Sequence, residues 1–103
     1  MKKVVINTCY GGFGVSEKAR ILYNQYAAVK GMETFEDCYG ISCEISRHCS
    51  ILIRVVEELG SEANGKYAKL YIEEVYGEIY RIDEYDGYES VIEPSDQTWI
   101  TIQ

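Results

Sequence analysis

The apolar residues of this 103-residue chain keep one spacing before about residue 60 and another after it. Residues 17–29 and 51–60 repeat at the three-to-four spacing of a helix that buries one stripe. From residue 67 onward the pattern is short and alternating, as in strands, over 67–75, 78–84, 88–93 and 98–102. Ahead of the helices stands one strand-like run, residues 2–8 (KKVVINT), with β-branched residues in a row. Strand, helix, helix and then four strands predicts a single α+β domain over 1–103, its helices covering one face of a mostly antiparallel sheet.

Local punctuation agrees with that order. Glycines 11, 12 and 14 let the chain turn after the first strand, and Ser16 is placed to cap a helix with Glu17 in its first turn. That helix would bury Ala19, Leu22, Tyr23, Tyr26 and Val29 and stop at Gly31. Ser50 would cap the second helix, with Leu52, Val55, Val56 and Leu59 inward and Gly60 ending it. Asp86-Gly87 is a two-residue hairpin signal, and Pro94 breaks the chain before the last strand.

At 47% apolar the chain can build a core, and its formal net charge is −7 with a pI near 4.6. Proteins that grip a phosphate backbone concentrate Lys and Arg on one face, so direct nucleic-acid binding is not expected. A basic protein surface is the better-matched partner. No stretch reaches the roughly 20 apolar residues of a membrane span, and the basic start is not followed by the about 7–15 apolar residues of a secretory segment. The expectation is a cytoplasmic protein without membrane contact, whose thiols stay reduced.

That compartment matters for residues 35–50, FEDCYGISCEISRHCS, which hold Cys38, Cys43, His48 and Cys49. Three soft ligands on a turn-rich segment suit a structural zinc, which takes four N or S ligands in a tetrahedron. His48 and Cys9 compete for the fourth position. His48 adjoins Cys49, and neighbouring side chains diverge; Cys9 needs the end of the first strand to lie beside the segment. Reduced core thiols and a disulfide pair are the other readings. Catalysis by Cys9 near a helix N-terminus would need an orienting partner that spacing does not locate. No enzymatic role is expected.

Two further patterns bear on function. GGFGVS opens a helix as a phosphate cradle does, yet lacks the G-K-[ST] ending and the full G-x-G-x-x-G spacing. Glu73, Glu74, Glu78, Asp83, Glu84, Asp86 and Glu89, continuing to Glu93 and Asp96, interleave with Tyr76, Tyr80, Tyr85 and Tyr88 against one base, Arg81. Such a run is either a solvated sheet face or a contact surface, because tyrosine supplies large area at low entropic cost. Read as a contact surface, its partner-binding residues are Glu73, Glu74, Glu78, Asp83, Glu84, Tyr85, Asp86, Tyr88 and Glu89.

KKVVINTCYGGFGVSEKA and VVEELGSEANGKYAKLYIEE, with IDEYDGYE, resemble a family of small acidic phage and prophage proteins. The resemblance covers most of both ends of the chain. The middle departs from it: where relatives carry a longer, aromatic, cysteine-poor insert, this chain has the short thiol-rich segment. Cys9 matches the family's CYGGFG, which favours His48 as the ligand particular to this chain. A small acidic prophage-type protein with a structural zinc is similar to the anti-CRISPR proteins of type II systems. That likeness implies a stoichiometric inhibitor whose acidic surface engages the basic lobes of a CRISPR effector nuclease. A sponge for a nucleotide immune signal and a small metal or thiol enzyme are the alternatives.

Overall fold

The computed structural model describes residues 2–94, so the strand expected at 98–102, and Asp96, lie outside the described residues. The elements are β1 (Lys2–Asn7), α1 (Glu17–Val29), α2 (Cys38–Glu44), α3 (Ser50–Leu59), a 3₁₀ turn (Gly60–Ala63), β2 (Leu70–Val75), β3 (Arg81–Tyr85) and β4 (Tyr88–Ile92). The chain is α+β as its patterning requires.

The strands are distributed differently from the single sheet expected. β1 pairs antiparallel with β2, Val5 opposite Ile72, and β3 pairs antiparallel with β4, Glu84 opposite Glu89. These are two separate two-stranded ribbons among the described residues. The reason lies on the second edge of β1. There the Val5 N–H donates to the Arg47 carbonyl at 2.8 Å, and the Asn7 N–H donates to Glu89 Oε1 at 2.8 Å. A loop carbonyl and a side-chain carboxylate satisfy backbone donors that another strand would otherwise pair.

Alternation of side chains gives β1 two buried faces. Val5 joins Ala19, Tyr23 and Ala27 of α1 and Leu52, Val55 and Val56 of α3 in the larger apolar cluster. Val4 and Ile6 face the other way and meet Val75, with Tyr80, Ile82 and Val91 packed alongside. The β1–β2 ribbon is therefore a middle layer between helices and the β3–β4 hairpin, which explains the unbroken Val-Val-Ile run.

The Ser16 hydroxyl accepts from the Ala19 N–H at 3.1 Å, so α1 starts where its cap predicts. Ala19, Tyr23 and Ala27 form its buried stripe, while Val29, expected inward, is 87% exposed at the end of the helix. The cap of α3 is Cys49 rather than Ser50, and it makes no side-chain cap bond. α2 forms within the thiol-rich segment, where no helix was expected. Asp37 caps it by accepting from the Gly40 N–H at 2.7 Å, and Ile41 is its one buried residue.

Candidate functional site

Where the hairpin meets the rest of the molecule, a cleft of about 500 Å³ opens between the glycine loop after β1, α2, the turn at residues 65–68 and the inner face of the hairpin. Its floor is a buried ion pair. Arg47 Nη1 and Nη2 donate to Glu89 Oε1 at 2.6 Å and Oε2 at 2.9 Å, a bidentate fit. Only 6% of Glu89 is exposed. The Arg47 guanidinium also lies 3.5 Å from the centroid of the Phe13 ring. Glu89 stands directly across the hairpin from Glu84, a like-charge pairing that would repel. Arg47 relieves it on one side, and on the other Glu84 Oε1 accepts from the Gly87 N–H at 2.9 Å.

Beside the ion pair is Asn7, with no exposed surface. Its Nδ2 donates to the carbonyls of Cys9 at 2.6 Å and Gly87 at 2.7 Å, and its Oδ1 accepts from the Lys69 N–H at 2.8 Å. One amide thereby ties the end of β1 to the glycine loop, the hairpin turn and the start of β2. The glycines serve the same convergence. A Cβ at Gly11 would stand 2.1 Å from the Tyr67 carbonyl oxygen, and one at Gly87 would stand 2.4 Å from the Gly12 nitrogen.

The thiol-rich segment is spread over several surroundings. Cys38 and Cys43 both line the cleft, Cys38 donating to Glu17 Oε2 at 3.5 Å. Burial, and after it the Glu17 carboxylate, pushes the Cys38 thiol above its ordinary value, which disfavours the thiolate that a nucleophile or metal ligand needs. Cys49 packs against the larger core with its Sγ 4.0 Å from the Tyr23 hydroxyl, a hydroxyl that burial pushes up to about 12. His48 Nδ1 lies 2.9 Å from Ser46 Oγ and 2.7 Å from the Tyr80 hydroxyl. Cys9 sits on the loop after β1, its carbonyl held by Asn7. All four cysteines are free thiols, and among the described residues no group of three or more His, Cys, Asp or Glu is placed to hold a metal ion. As placed, the five expected ligands do not form a tetrahedral zinc set. A bound zinc would have to draw Cys38 away from Glu17 and Cys49 away from Tyr23.

The acidic run divides by orientation. Glu89 is turned inward onto Arg47, and Glu93, also buried, accepts from the N–H groups of Tyr76 and Gly77 at 3.0 and 2.8 Å. Glu73 is half-buried, Glu74 is exposed, and Glu78 pairs with Lys2 at 2.9 Å. The two β2 neighbours point to opposite faces of their ribbon. On the hairpin, Asp83 and Tyr85 share the outer face with Tyr88, and Asp86 occupies the turn. Tyr85 is 74% exposed, Tyr88 stacks on Tyr10 at 5.3 Å between centroids, and Asp83 lies 3.3 Å from Arg81.

No family model, no curated protein and no solved structure matches this chain. The site is therefore read from its own residues. Among the described residues, no helix is long and apolar enough to cross a membrane. Sequence reading passed over Asn7, Phe13 and Arg47. Asn7 had a signal, a polar residue ending an otherwise apolar strand. Arg47 had none, since its partner is 42 residues away.

Proposed function

We propose that the protein is a stoichiometric inhibitor that binds a basic protein surface through the outer face and turn of the β3–β4 hairpin. The observation that carries this reading is the hairpin's division of its own charges. Glu89 anchors the inner face, while Asp83, Tyr85, Asp86 and Tyr88 are presented outward on backbone fixed from below. A rigid tyrosine flanked by carboxylates is well suited to a basic groove, because little side-chain entropy is lost on docking. The resemblance to small prophage proteins supplies the partner class, the nucleic-acid-binding lobes of a type II CRISPR effector nuclease in a bacterial cytoplasm.

The test is binding of the purified protein to such a nuclease at low and high salt. The triple variant Asp83→Lys/Tyr85→Ala/Asp86→Asn, which leaves Glu89 in place, should weaken binding by at least about a hundredfold and flatten its salt dependence. Equal affinity of variant and wild type would overturn the assignment of the hairpin's outer face. Reversing Glu89 instead would confound the experiment, because it breaks the Arg47 pair.

A further inference from the structure

The inner face of the same hairpin carries a second, separable feature, and its use rests on the protein-binding reading above. Glu84 lines the cleft with one carboxylate oxygen accepting from Gly87. Nothing basic among the described residues pairs with it, whereas Glu89 beside it is consumed by Arg47. Two tyrosines, Tyr39 and Tyr67, line the same cleft and are 77% and 64% exposed. Above Gly12 and Gly14 there is open space, with no atom within 4 Å of where a Cβ would stand. Both cations that line the cleft already rest on aromatic rings, Arg47 on Phe13 at 3.5 Å and Lys66 on Tyr67 at 5.3 Å from the centroid.

A spare carboxylate oxygen, exposed ring faces and a protein field of formal charge −7 select against an anion and for a cation. We propose that this cleft receives an arginine side chain of the basic partner, its guanidinium held by Glu84 and stacked on Tyr39 or Tyr67. Arginine fits better than lysine because its planar fork both stacks and bonds a carboxylate. Lys66 acts as an internal competitor, occupying the Tyr67 ring until the partner's cation displaces it.

Lys66 also makes the inference discriminating. For a cationic occupant, Lys66→Ala removes a competitor and a like charge; for a nucleotide or other anion it removes an attraction. The experiment is a titration of ¹⁵N-labelled protein with the tripeptide acetyl-Gly-Arg-Gly-amide, its lysine counterpart and adenosine monophosphate. The expected result is saturable shifts at Gly12, Gly14, Tyr39 and Tyr67 with the arginine peptide. Glu84→Gln should weaken that binding about tenfold, and Lys66→Ala should tighten it about threefold. Absence of shifts at the cleft, indifference to Glu84→Gln, or nucleotide binding that Lys66→Ala weakens would each overturn it. The two readings fail separately. Nuclease binding that depends on Asp83, Tyr85 and Asp86 while the arginine peptide ignores the cleft sinks this inference alone. Arginine capture by the cleft with no effect of the outer-face triple variant sinks the hairpin surface alone.

Discussion

The two sides of β1 are held by different physics. Toward the helices, Val5 lies in a cluster of buried apolar side chains from α1 and α3, with Leu70 and Ile72 of β2 partly buried against it, and its cohesion is non-directional and spread over many contacts. Toward the hairpin, the apolar cluster is small, and attachment runs through Asn7, Arg47 and Glu89 with bonds of 2.6–2.9 Å. Apolar packing tolerates some repacking. A buried ion pair does not, because removing one partner leaves the other charged and unpaired. The hairpin that presents the proposed contact surface thus depends on a few directional bonds, and the helical side does not.

The largest expected effect breaks that dependence. Glu89→Ala strands the Arg47 guanidinium and frees the Asn7 N–H, and it should cost about 3–5 kcal/mol. The loss should be local at first. Hydrogen exchange should rise across β3 and β4 well before it rises in α1 and α3. The paired change Arg47→Met/Glu89→Leu should restore only part of the stability: it removes the stranded charge but still leaves the buried Asn7 N–H without its acceptor. Uniform loss of protection over hairpin and helices alike would show that the two regions are one cooperative unit.

The complementary change lies on the other side of β1. Leu52 is 1% exposed in the larger cluster, and Leu52→Ala should cost about 2–5 kcal/mol through lost transfer energy and the cavity left behind. Its signature should be global, with hairpin and helices losing protection together, because the helices cannot open without exposing the face of the ribbon they cover. A chemical denaturation midpoint and exchange profile of this variant, set beside Glu89→Ala, separate the regions. Retention of helix protection in Leu52→Ala would remove the distinction.

What the sequence disclosed and what it withheld divide along the same line. Helices α1 and α3 were legible because each buries one stripe against a continuous apolar face, and Gly31 and Gly60 adopt positive φ at 71° and 58° where stops were expected. The Asp86-Gly87 turn was legible for a related reason, since φ values of 49° and 89° are those its residues tolerate. Helix α2 was not legible, because seven residues with one buried side chain carry no period. Nor was the partner of β1, because alternation identifies a strand without naming its neighbour. The surroundings of the cysteine segment were not legible either, because closeness along the chain does not say which element each side chain will meet. α2 carries Cys38 to Glu17, and the following loop delivers Cys49 to Tyr23 and His48 to Tyr80. The polar junction was invisible because its members come from residues 7, 47 and 89, and only folding makes them neighbours.

The smallest of these expected effects probes the junction without touching a charge. Gly87 has a φ of 89°, and a Cβ there would stand 2.4 Å from the Gly12 nitrogen and 2.8 Å from the Tyr10 carbonyl oxygen. Gly87→Ala therefore meets backbone on one side and left-handed strain on the other, the latter about 1–2 kcal/mol. Backbone atoms of the glycine loop cannot swing aside as a long side chain can, so the hairpin turn should lift away from Gly12. Lifting stretches the Asn7 Nδ2 bond to the Gly87 carbonyl and widens the cleft. The variant should thus show raised exchange at the turn amides and altered shifts at Gly12, with the Arg47–Glu89 pair intact and the helices unperturbed. If the helices lost protection as much as the turn, the glycine loop would belong to the apolar side of the molecule, and the boundary between the two regions would move from β1 to the hairpin itself.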